Sequence, residues 1–238
     1  SKALHDYGAD SCKTDSIARA GWVKTKIDIA QTALLVSCIT WVHMVESAFA
    51  GQHSLNTALE QQEAHLQALI KATQSHLDKP TRQKVMCMIT LDAHNRDIQA
   101  KMIADGVGDA SCFQWASQLK AYWDEEKDQP VWFRIADGLF HYGYEYLGNG
   151  PRLVVTPLTD RIYVTATQAL SLYMGCAPAG PAGTGKTETT KDLGSALAKN
   201  VYVVNAAPEM DYLTMGDTFK GLAASGSWGC FDEFNRLV

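Results

Sequence analysis

The 238-residue sequence lacks the marks of several protein classes. Its 21 Lys and Arg are outnumbered by 26 Asp and Glu, and without a basic excess a dedicated nucleic-acid binder is not expected. The most apolar stretch, residues 32–45, is shorter than the ~20 residues that a membrane span needs, so we interpret it as a core helix. The first residues, SKALHD, also lack the apolar run of a signal peptide. These absences predict a soluble chain without nucleic-acid or membrane partners.

The cysteine pattern excludes two further kinds of site. The six cysteines are Cys12, Cys38, Cys87, Cys112, Cys176 and Cys230. No two of them form a C-x-x-C pair, so the spacing of a zinc site is missing. A disulfide framework is unusual in a chain this long and this rich in core residues. We therefore expect all six to be reduced thiols, as in a protein of the cytoplasm.

Residues 1–150 predict a largely helical region, because apolar side chains recur there at steps of three and four residues. The predicted helices cover 22–48, 54–79, 80–106 and 111–123. Lys79-Pro80 is interpreted as the end of the second helix, since the residue before a proline disfavours the helical conformation. The Met and aromatic stripes on these helices are interpreted as core rather than as a cofactor site.

A β-hairpin is predicted before residue 148. Its strands would cover 131–135 and 139–147, joined at Asp137-Gly138, a dipeptide that suits the positive φ angles of a type I′ turn. Alternation would place four aromatic residues on one sheet face: Phe140, Tyr142, Tyr144 and Tyr146. Such a row could be a ligand platform, but a packed face with hydroxyl groups at its rim is the favoured interpretation.

Residues 180–187, GPAGTGKT, match the pattern G-x-x-x-x-G-K-[ST] of a phosphate-binding loop. Glycines let the backbone fold into a concave nest whose N–H groups point at phosphate oxygens. Lys186 would offer its charge to the β- and γ-phosphates, and the Thr187 hydroxyl would be one ligand of Mg²⁺. A helix over 188–198 would direct its N-terminal dipole at the phosphates. The predicted nucleotide-binding residues are Gly180, Pro181, Ala182, Gly183, Thr184, Gly185, Lys186, Thr187 and Glu188.

The residues after the loop predict a strand–helix–strand unit, as an α/β nucleotide-binding domain requires. Strands are predicted at 201–204 and 228–233, with a helix at 211–224, whereas 174–179 before the loop are a poor strand by propensity. The second strand ends in two carboxylates. Asp232 would bind Mg²⁺, and Glu233 would polarise the water that attacks the γ-phosphate. Alone, an Asp-Glu pair is more often a surface turn, so this interpretation depends on the complete loop upstream.

Four segments resemble one known family. Residues 180–193, GPAGTGKTETTKDL, and 228–236, WGCFDEFNR, resemble the first AAA+ module of a dynein heavy chain. Residues 152–163, RLVVTPLTDRIY, are similar to the opening of that module. Residues 144–148, YEYLG, are similar to the segment that joins it to the linker domain.

The resemblance implies a role for each part of the site. Lys186 would bind the phosphates of ATP or ADP, Thr187 and Asp232 would hold Mg²⁺, and Glu233 would be the catalytic carboxylate. The residues implied to lie against the adenine are Pro157, Leu158 and Thr159. There are two departures from the family pattern: Cys176 stands where glycine is usual, and residues 205–208 read NAAP where Asn-Cys is commoner. Neither departure touches a phosphate or metal role.

The implied fold is an α+β helical linker segment followed by an incomplete α/β P-loop AAA+ core, with a parallel sheet truncated after the Walker B strand. We place the boundary at Gly148-Asn149-Gly150-Pro151. Residues 1–150 would then be the C-terminal part of the linker, and 151–238 the N-terminal part of the first AAA+ module. Because the remaining strands and the helical lid are missing from this sequence, we expect a piece of a longer protein that does not hydrolyse ATP alone.

For the full-length protein, the resemblance implies an ATPase that drives linker movement and force along microtubules. The implied partners are microtubules, other dynein heavy, intermediate and light chains, and an adjacent AAA+ module that supplies an arginine finger. The implied location is the cytoskeleton, in the axoneme of a cilium or flagellum. Two alternatives stay open: an AAA+ ATPase that remodels assemblies without a track, and a structural nucleotide-binding module without turnover. An intact Glu233 argues against the second.

Overall fold

The computed structural model describes residues 2–9, 12–150, 152–181 and 183–236. Its contacts divide the chain into two compact units. Unit 1 comprises Ser1–His141 and Gly148–Cys176, and unit 2 comprises Tyr142–Leu147 and Ala177–Val238. Residues 148–176 pack with unit 1, so the compact units differ from the predicted domains 1–150 and 151–238, which stay a prediction.

Unit 1 is mainly helical. Its helical segments are α1 (Lys2–Ala9), α2 (Ser16–Gly21), a π-helical turn (Trp22–Lys26), α3 (Ala30–Phe49), α4 (Leu55–Thr73), α5 (Lys79–Ala104), α6 (Phe113–Ala116) and α7 (Pro157–Ser171). The predicted single helix over 22–48 is wrong, since the backbone is extended at Ile27 and Ile29. Two β-branched residues around Asp28 favour this interruption, because their stiff side chains fit a helix less well.

Helices α4 and α5 lie side by side, and their ends follow local rules. The Ser54 hydroxyl accepts a hydrogen bond from the N–H of Thr57 at 3.1 Å, which caps α4 at the predicted start. Helix α4 ends at Thr73, before the predicted stop at Pro80. Pro80 instead lies in the first turn of α5, where the missing N–H of a proline costs nothing.

Helix α3 is the one helix in the described ranges that is long and apolar enough to cross a membrane, judged by length and composition alone. Core helices of folded domains pass the same test. Val36 belongs to one buried apolar cluster of unit 1, and Trp41, Val42 and Val45 belong to a second. These contacts confirm the predicted core helix.

A buried ion pair connects three helices of unit 1. The guanidinium of Arg19 in α2 donates to both carboxylate oxygens of Asp92 in α5, at 2.6 and 2.9 Å. It also donates to the Ser37 hydroxyl of α3 at 2.6 Å. The Arg19 and Asp92 side chains are only 3% and 1% exposed, so protein partners replace most of the lost water.

Unit 1 also contains an antiparallel sheet of order β1-β2-β3. Its strands are β1 (Lys120–Trp123), β2 (Val131–Ile135) and β3 (Gly138–His141). The predicted fourth helix over 111–123 is wrong, because only α6 is helical and β1 pairs with β2. Tyr122 of β1 stacks on Trp132 of β2 with ring centroids 4.3 Å apart. This pairing depends on a strand that lies elsewhere in the sequence, so helical periodicity could not reveal it.

The hairpin between β2 and β3 differs from its prediction. The two turn residues are Ala136 and Asp137, and Ala136 carries the positive φ of 47°. Gly138 is the first residue of β3, where an added Cβ would lie 2.8 Å from the Phe140 ring. Because β3 ends at His141, the predicted face shared by Phe140, Tyr142, Tyr144 and Tyr146 does not form.

Unit 2 contains the predicted strand–helix–strand arrangement. Its elements are α8 (Lys186–Ala196), β4 (Val201–Asn205), α9 (Tyr212–Ser225), β5 (Trp228–Asp232) and a short 3-10 helix (Phe234–Arg236). Strands β4 and β5 are parallel neighbours, with Asn205 opposite Asp232. The N–H of Thr214 donates to the Asp211 carboxylate at 2.8 Å, which caps α9 and lowers the pKa of Asp211. The fold is thus a mixed helix-and-sheet structure with a small parallel sheet.

Candidate nucleotide-binding site

The phosphate-binding loop over 180–185 needs glycine at two places. Gly183 and Gly185 both have φ of 79°, in the left-handed region that other residues enter at a cost. Gly185 is also the residue that precedes α8, so the loop leads directly into the first helical turn. The Thr184 hydroxyl donates to the carbonyl of Pro181 at 3.0 Å and closes the loop on itself. Ala182 lies outside the described residues, and 174–181 form no strand.

Lys186, the first residue of α8, extends back over the loop. Its ammonium group donates to the carbonyls of Gly180 at 2.8 Å and Pro181 at 2.7 Å. The side chain is only half-buried, so water or a ligand can reach it. A lysine is suited to such a position because its three donors and flexible stem can exchange backbone partners for phosphate oxygens.

The structure brings together two oxygen-bearing side chains that are 45 residues apart in the sequence. The Thr187 hydroxyl in the first turn of α8 donates to the Asp232 carboxylate at the end of β5, at 2.9 Å. The other Asp232 oxygen accepts from the N–H of Glu233 at 2.9 Å. A hydroxyl beside a carboxylate is a donor set of hard oxygens, which fits Mg²⁺.

The described part of the chain has no group of three or more His, Cys, Asp or Glu side chains that could hold a metal ion. A cation at Thr187 and Asp232 would therefore complete its shell with phosphate oxygens and water. Mg²⁺ usually binds in that way, through one or two side chains and the phosphates of a substrate.

Glu233 has an unusual backbone conformation. Its φ is 54°, a left-handed value that costs free energy for a residue with a side chain. This turn separates the Glu233 carboxylate from β5, and the side chain is half-exposed. Its Oε2 atom lies 3.3 Å from Nε of Arg236, since residues three apart in a 3-10 helix lie on the same side. Strained conformations of this kind cluster at functional sites.

Comparisons with known proteins give matches over most of this chain. A family model described as the hydrolytic ATP binding site of dynein motor region matches residues 142–238. The dynein alpha chain of the flagellar outer arm of Chlamydomonas reinhardtii is 58% identical over 214 residues, which is 88% of this chain and 5% of that protein. Dynein axonemal heavy chain 9 of Homo sapiens is 52% identical over 213 residues, which is 87% of this chain and 5% of that protein.

The chain belongs to the dynein heavy-chain family. A third relative, the ciliary dynein beta chain of Heliocidaris crassispina, is 49% identical over 213 residues and likewise is matched over 87% of this chain and 5% of its own length. The predicted resemblance is therefore confirmed, and the match continues well upstream of the P-loop. The chain spans about 5% of the length of the dynein heavy chains that it matches.

The predicted adenine contacts of this dynein segment lie in unit 1, at the start of α7. Thr156 caps the helix, and Thr159 returns the bond, so that each side chain accepts from the N–H of the other residue. Leu158 is 56% exposed, whereas Thr159 is buried. The contact of Pro157, Leu158 and Thr159 with adenine stays a prediction.

Glu188 is also in the first turn of α8, and its partner is another residue of the same helix. Its carboxylate lies 2.7 Å from the ammonium of Lys191, and both side chains are largely exposed. A surface pair of this kind contributes little to stability.

Sequence reasoning missed two features of unit 2. Arg236 lies within salt-bridge distance of Glu233. The spacing of three residues is the signal in the sequence for this pair, because a 3-10 turn places such residues on the same side. The second feature is Gly143, which lies in unit 2 and donates its N–H to the carbonyl of Leu197 at the end of α8. The tyrosine alternation over 140–146 favoured a continuous strand and concealed this contact.

Proposed function

We propose that this segment binds Mg·ATP and contributes the first hydrolytic site of a microtubule motor. The single observation that carries the proposal is the hydrogen bond of 2.9 Å between Thr187 and Asp232, which joins the P-loop helix to the end of β5. Two parts of the sequence with complementary roles in phosphate chemistry thereby meet at one place. The left-handed glycines of the loop and the strained Glu233 beside this pair support the same conclusion.

Binding depends on the loop and on the first turn of α8. The N–H groups at the start of α8 have no partner within the helix, so they can donate to phosphate oxygens, and the helix dipole favours negative charge there. Lys186 would release the carbonyls of Gly180 and Pro181 and take up the β- and γ-phosphates instead. The phosphates would therefore take the place of the two loop carbonyls that now bond the Lys186 ammonium.

Thr187 and Asp232 are the side chains that would hold Mg²⁺. When bound, the ion would neutralise charge on the β- and γ-phosphate oxygens. Asp232 keeps an oxygen bonded to the N–H of Glu233, which orients its carboxylate. Thr187 would turn its hydroxyl so that a lone pair, rather than the proton, meets the cation.

Glu233 would orient the water that attacks the γ-phosphate and accept its proton. A carboxylate is suited to this role because it can accept a hydrogen bond from water and then the proton itself. Glu233 follows Asp232 directly and so lies beside the carboxylate that would bind the metal. The left-handed backbone at Glu233 would direct its own carboxylate away from that position. The two adjacent acidic residues would thus have different roles, Asp232 in metal binding and Glu233 in activation of water.

For the whole protein, we propose a motor that works in an axoneme. The named relatives are flagellar, axonemal and ciliary dyneins, which supports this location and a microtubule track. Residues 1–150 would be the end of the linker and 151–238 the start of the first AAA+ module. Other dynein heavy, intermediate and light chains would be its partners, and a neighbouring module would supply an arginine finger.

Glu233→Gln in the parent heavy chain tests this proposal. The amide keeps the size of the side chain but cannot accept a proton, so Mg·ATP should bind normally. Single-turnover hydrolysis at this site should fall by about 10²–10⁴-fold, equivalent to roughly 3–5 kcal/mol of barrier. Microtubule gliding should stop. Glu209→Gln, which alters an exposed glutamate of the same unit, is the matched control and should leave both rates unchanged.

The two alternatives give different results in the same experiment. If this segment is a structural nucleotide-binding module, the parent protein with Glu233→Gln should glide normally, because bound ATP without hydrolysis would be sufficient. An ATPase that remodels assemblies without a track would lose hydrolysis with Glu233→Gln but would show no gliding before the substitution either.

A further inference from the structure

The segment Tyr142–Leu147, here called the strap, is attached to the C-terminal end of the P-loop helix. The N–H of Gly143 donates to the carbonyl of Leu197 at 2.8 Å, and the N–H of Glu145 donates to the carbonyl of Ala198 at 3.3 Å. The Glu145 carboxylate in turn accepts from the N–H of Asn200 at 3.1 Å. Backbone groups that the end of a helix leaves without partners are thus bonded by the strap.

The close approach of the strap requires glycine at one position. A Cβ added to Gly143 would overlap the carbonyl oxygen of Ala198, and it would lie 2.9 Å from a side-chain carbon of Lys199. The overlap is with backbone, so no side-chain rearrangement can relieve it. Any larger residue at 143 must therefore push the strap away from α8.

Helix α8 is a short element that packs closely on the sheet near its C-terminal end. It has 11 residues and is therefore about 16 Å long. A Cβ added to Gly194 would overlap the Val201 side chain, so the helix packs closely on β4 near its C-terminal end. Lys186 and Thr187 lie at the other end, in the first turn. A tilt imposed at the strap is therefore carried by a short rigid element to the residues that meet phosphate and metal.

We propose that the strap is a positioning element for the nucleotide site: its attachment to the end of α8 sets where Lys186 and Thr187 lie. The inference rests on the proposed function and deepens it. The strap follows directly after His141, the last residue of β3, and is the first segment of unit 2 along the chain. Coupling of this kind is reciprocal, so the strap changes ATP affinity by the same factor by which ATP changes strap attachment.

Gly143→Ala in the full heavy chain, with the nucleotide sites of the other modules blocked, is the primary test. The affinity of this site for Mg·ATP should fall by at least about fivefold, the lower end of typical coupling. Gly150→Ala is the matched control, because a Cβ there meets nothing within 4 Å, and it should bind Mg·ATP as the parent does. In the parent, Mg·ATP should slow hydrogen exchange of the amides in the strap, and Gly143→Ala should remove that protection.

A second pair of variants keeps the test decisive if Gly143→Ala does not fold. Glu145→Ala removes the acceptor of the Asn200 amide, while Glu145→Gln retains a carbonyl oxygen that can accept the same bond. The affinity for Mg·ATP should fall in the alanine variant and be restored in the glutamine variant. A merely structural strap would shift the unfolding temperature without changing the affinity of the folded protein.

The inference is overturned if these variants bind Mg·ATP within about twofold of the parent and strap exchange is independent of nucleotide. That failure is separate from failure of the proposed function. Slow hydrolysis in Glu233→Gln with normal ATP affinity in Gly143→Ala would keep the ATPase site and reject the strap. Normal gliding in Glu233→Gln would reject the motor site whatever the strap variants do.

Discussion

The two units use charged side chains in opposite ways. In unit 1, Arg19 and Asp92 are almost fully buried, and protein atoms supply their partners. In unit 2, Lys186 and Asp232 are half-buried, and their present partners are loop carbonyls and one hydroxyl. Buried charges that complete each other connect helices, whereas half-exposed charges can exchange their partners for a ligand. The buried pair serves stability, whereas the half-exposed groups are those for which we propose a role in chemistry.

Removal of one member of the buried pair should have the largest effect on stability. Asp92→Ala leaves the Arg19 charge buried without its carboxylate, so the free energy of unfolding should fall by about 3–5 kcal/mol. Urea unfolding followed by tryptophan fluorescence measures this, because Trp22, Trp41 and Trp115 are buried in unit 1. The control is Asp97→Ala, which breaks the exposed pair with Arg96 and should cost less than about 1 kcal/mol. Equal losses in both variants would contradict the comparison.

Lys186→Ala should show the opposite pattern, with binding lost and stability kept. Hydrogen bonds to charged groups contribute about 1.5–3 kcal/mol each, so the affinity for Mg·ATP in the parent protein should fall at least about 100-fold. The unfolding midpoint without nucleotide should hardly change, since the side chain is half-buried and bonds only loop carbonyls. Lys191→Ala, on the outer side of the same helix, is the control and should bind ATP normally. Unchanged nucleotide affinity in Lys186→Ala would remove the P-loop assignment.

Unit 1 should lose stability in acid because of His65. Burial, with a smaller contribution from Arg19, lowers the pKa of His65 to about 3, although Asp15 acts in the other direction. The unfolded chain binds a proton below its pKa of about 6.5, whereas the folded chain does not until about pH 3. Stability should therefore fall as the pH drops through this window, by at most about 1.4 kcal/mol per pH unit.

His65→Gln should flatten that part of the pH dependence, as measured by urea unfolding between pH 7 and 5. His94 contributes in a similar window, because burial lowers its pKa to about 4, so the double variant should be flatter still. His76→Gln changes an exposed histidine and should leave the slope as it was. An unaltered slope in the double variant would show that His65 and His94 do not contribute to the pH dependence of the unfolding free energy.

The smallest effect concerns left-handed backbone positions, where the P-loop and the β2–β3 turn differ. The P-loop uses glycines for them, whereas the β2–β3 turn uses Ala136 with φ of 47°. Ala136→Gly should relieve that strain and raise the free energy of unfolding by up to about 1 kcal/mol. Ala100→Gly, on an exposed face of α5, should lower it by about 1 kcal/mol. Two changes of the same sign would show that Ala136 is not strained.

Much of unit 2 could be predicted from the residues alone. Gly183, Gly185 and Lys186 predict a phosphate-binding loop, because the backbone must approach phosphate closely and only glycine enters the left-handed region freely. The alternation of short apolar runs with capped helices identified β4, α9 and β5. Asp211 and Gly226 mark the ends of α9 by rules that act within one turn of helix. The six cysteines are thiols, as their spacing predicted.

Other features depended on partners far away in the chain. Residues 120–123 continue an apolar stripe, but their backbone pairs with β2 and becomes a strand. The tyrosines of 142–146 alternate like a strand, yet Gly143 leaves the sheet and bonds the end of α8. The sequence by itself determined where the loop and its helix begin, because glycine conformation, caps and spacing act locally. Only the tertiary structure decided that Thr187 meets Asp232 and that the strap meets α8, because those contacts require two distant backbones to be packed first.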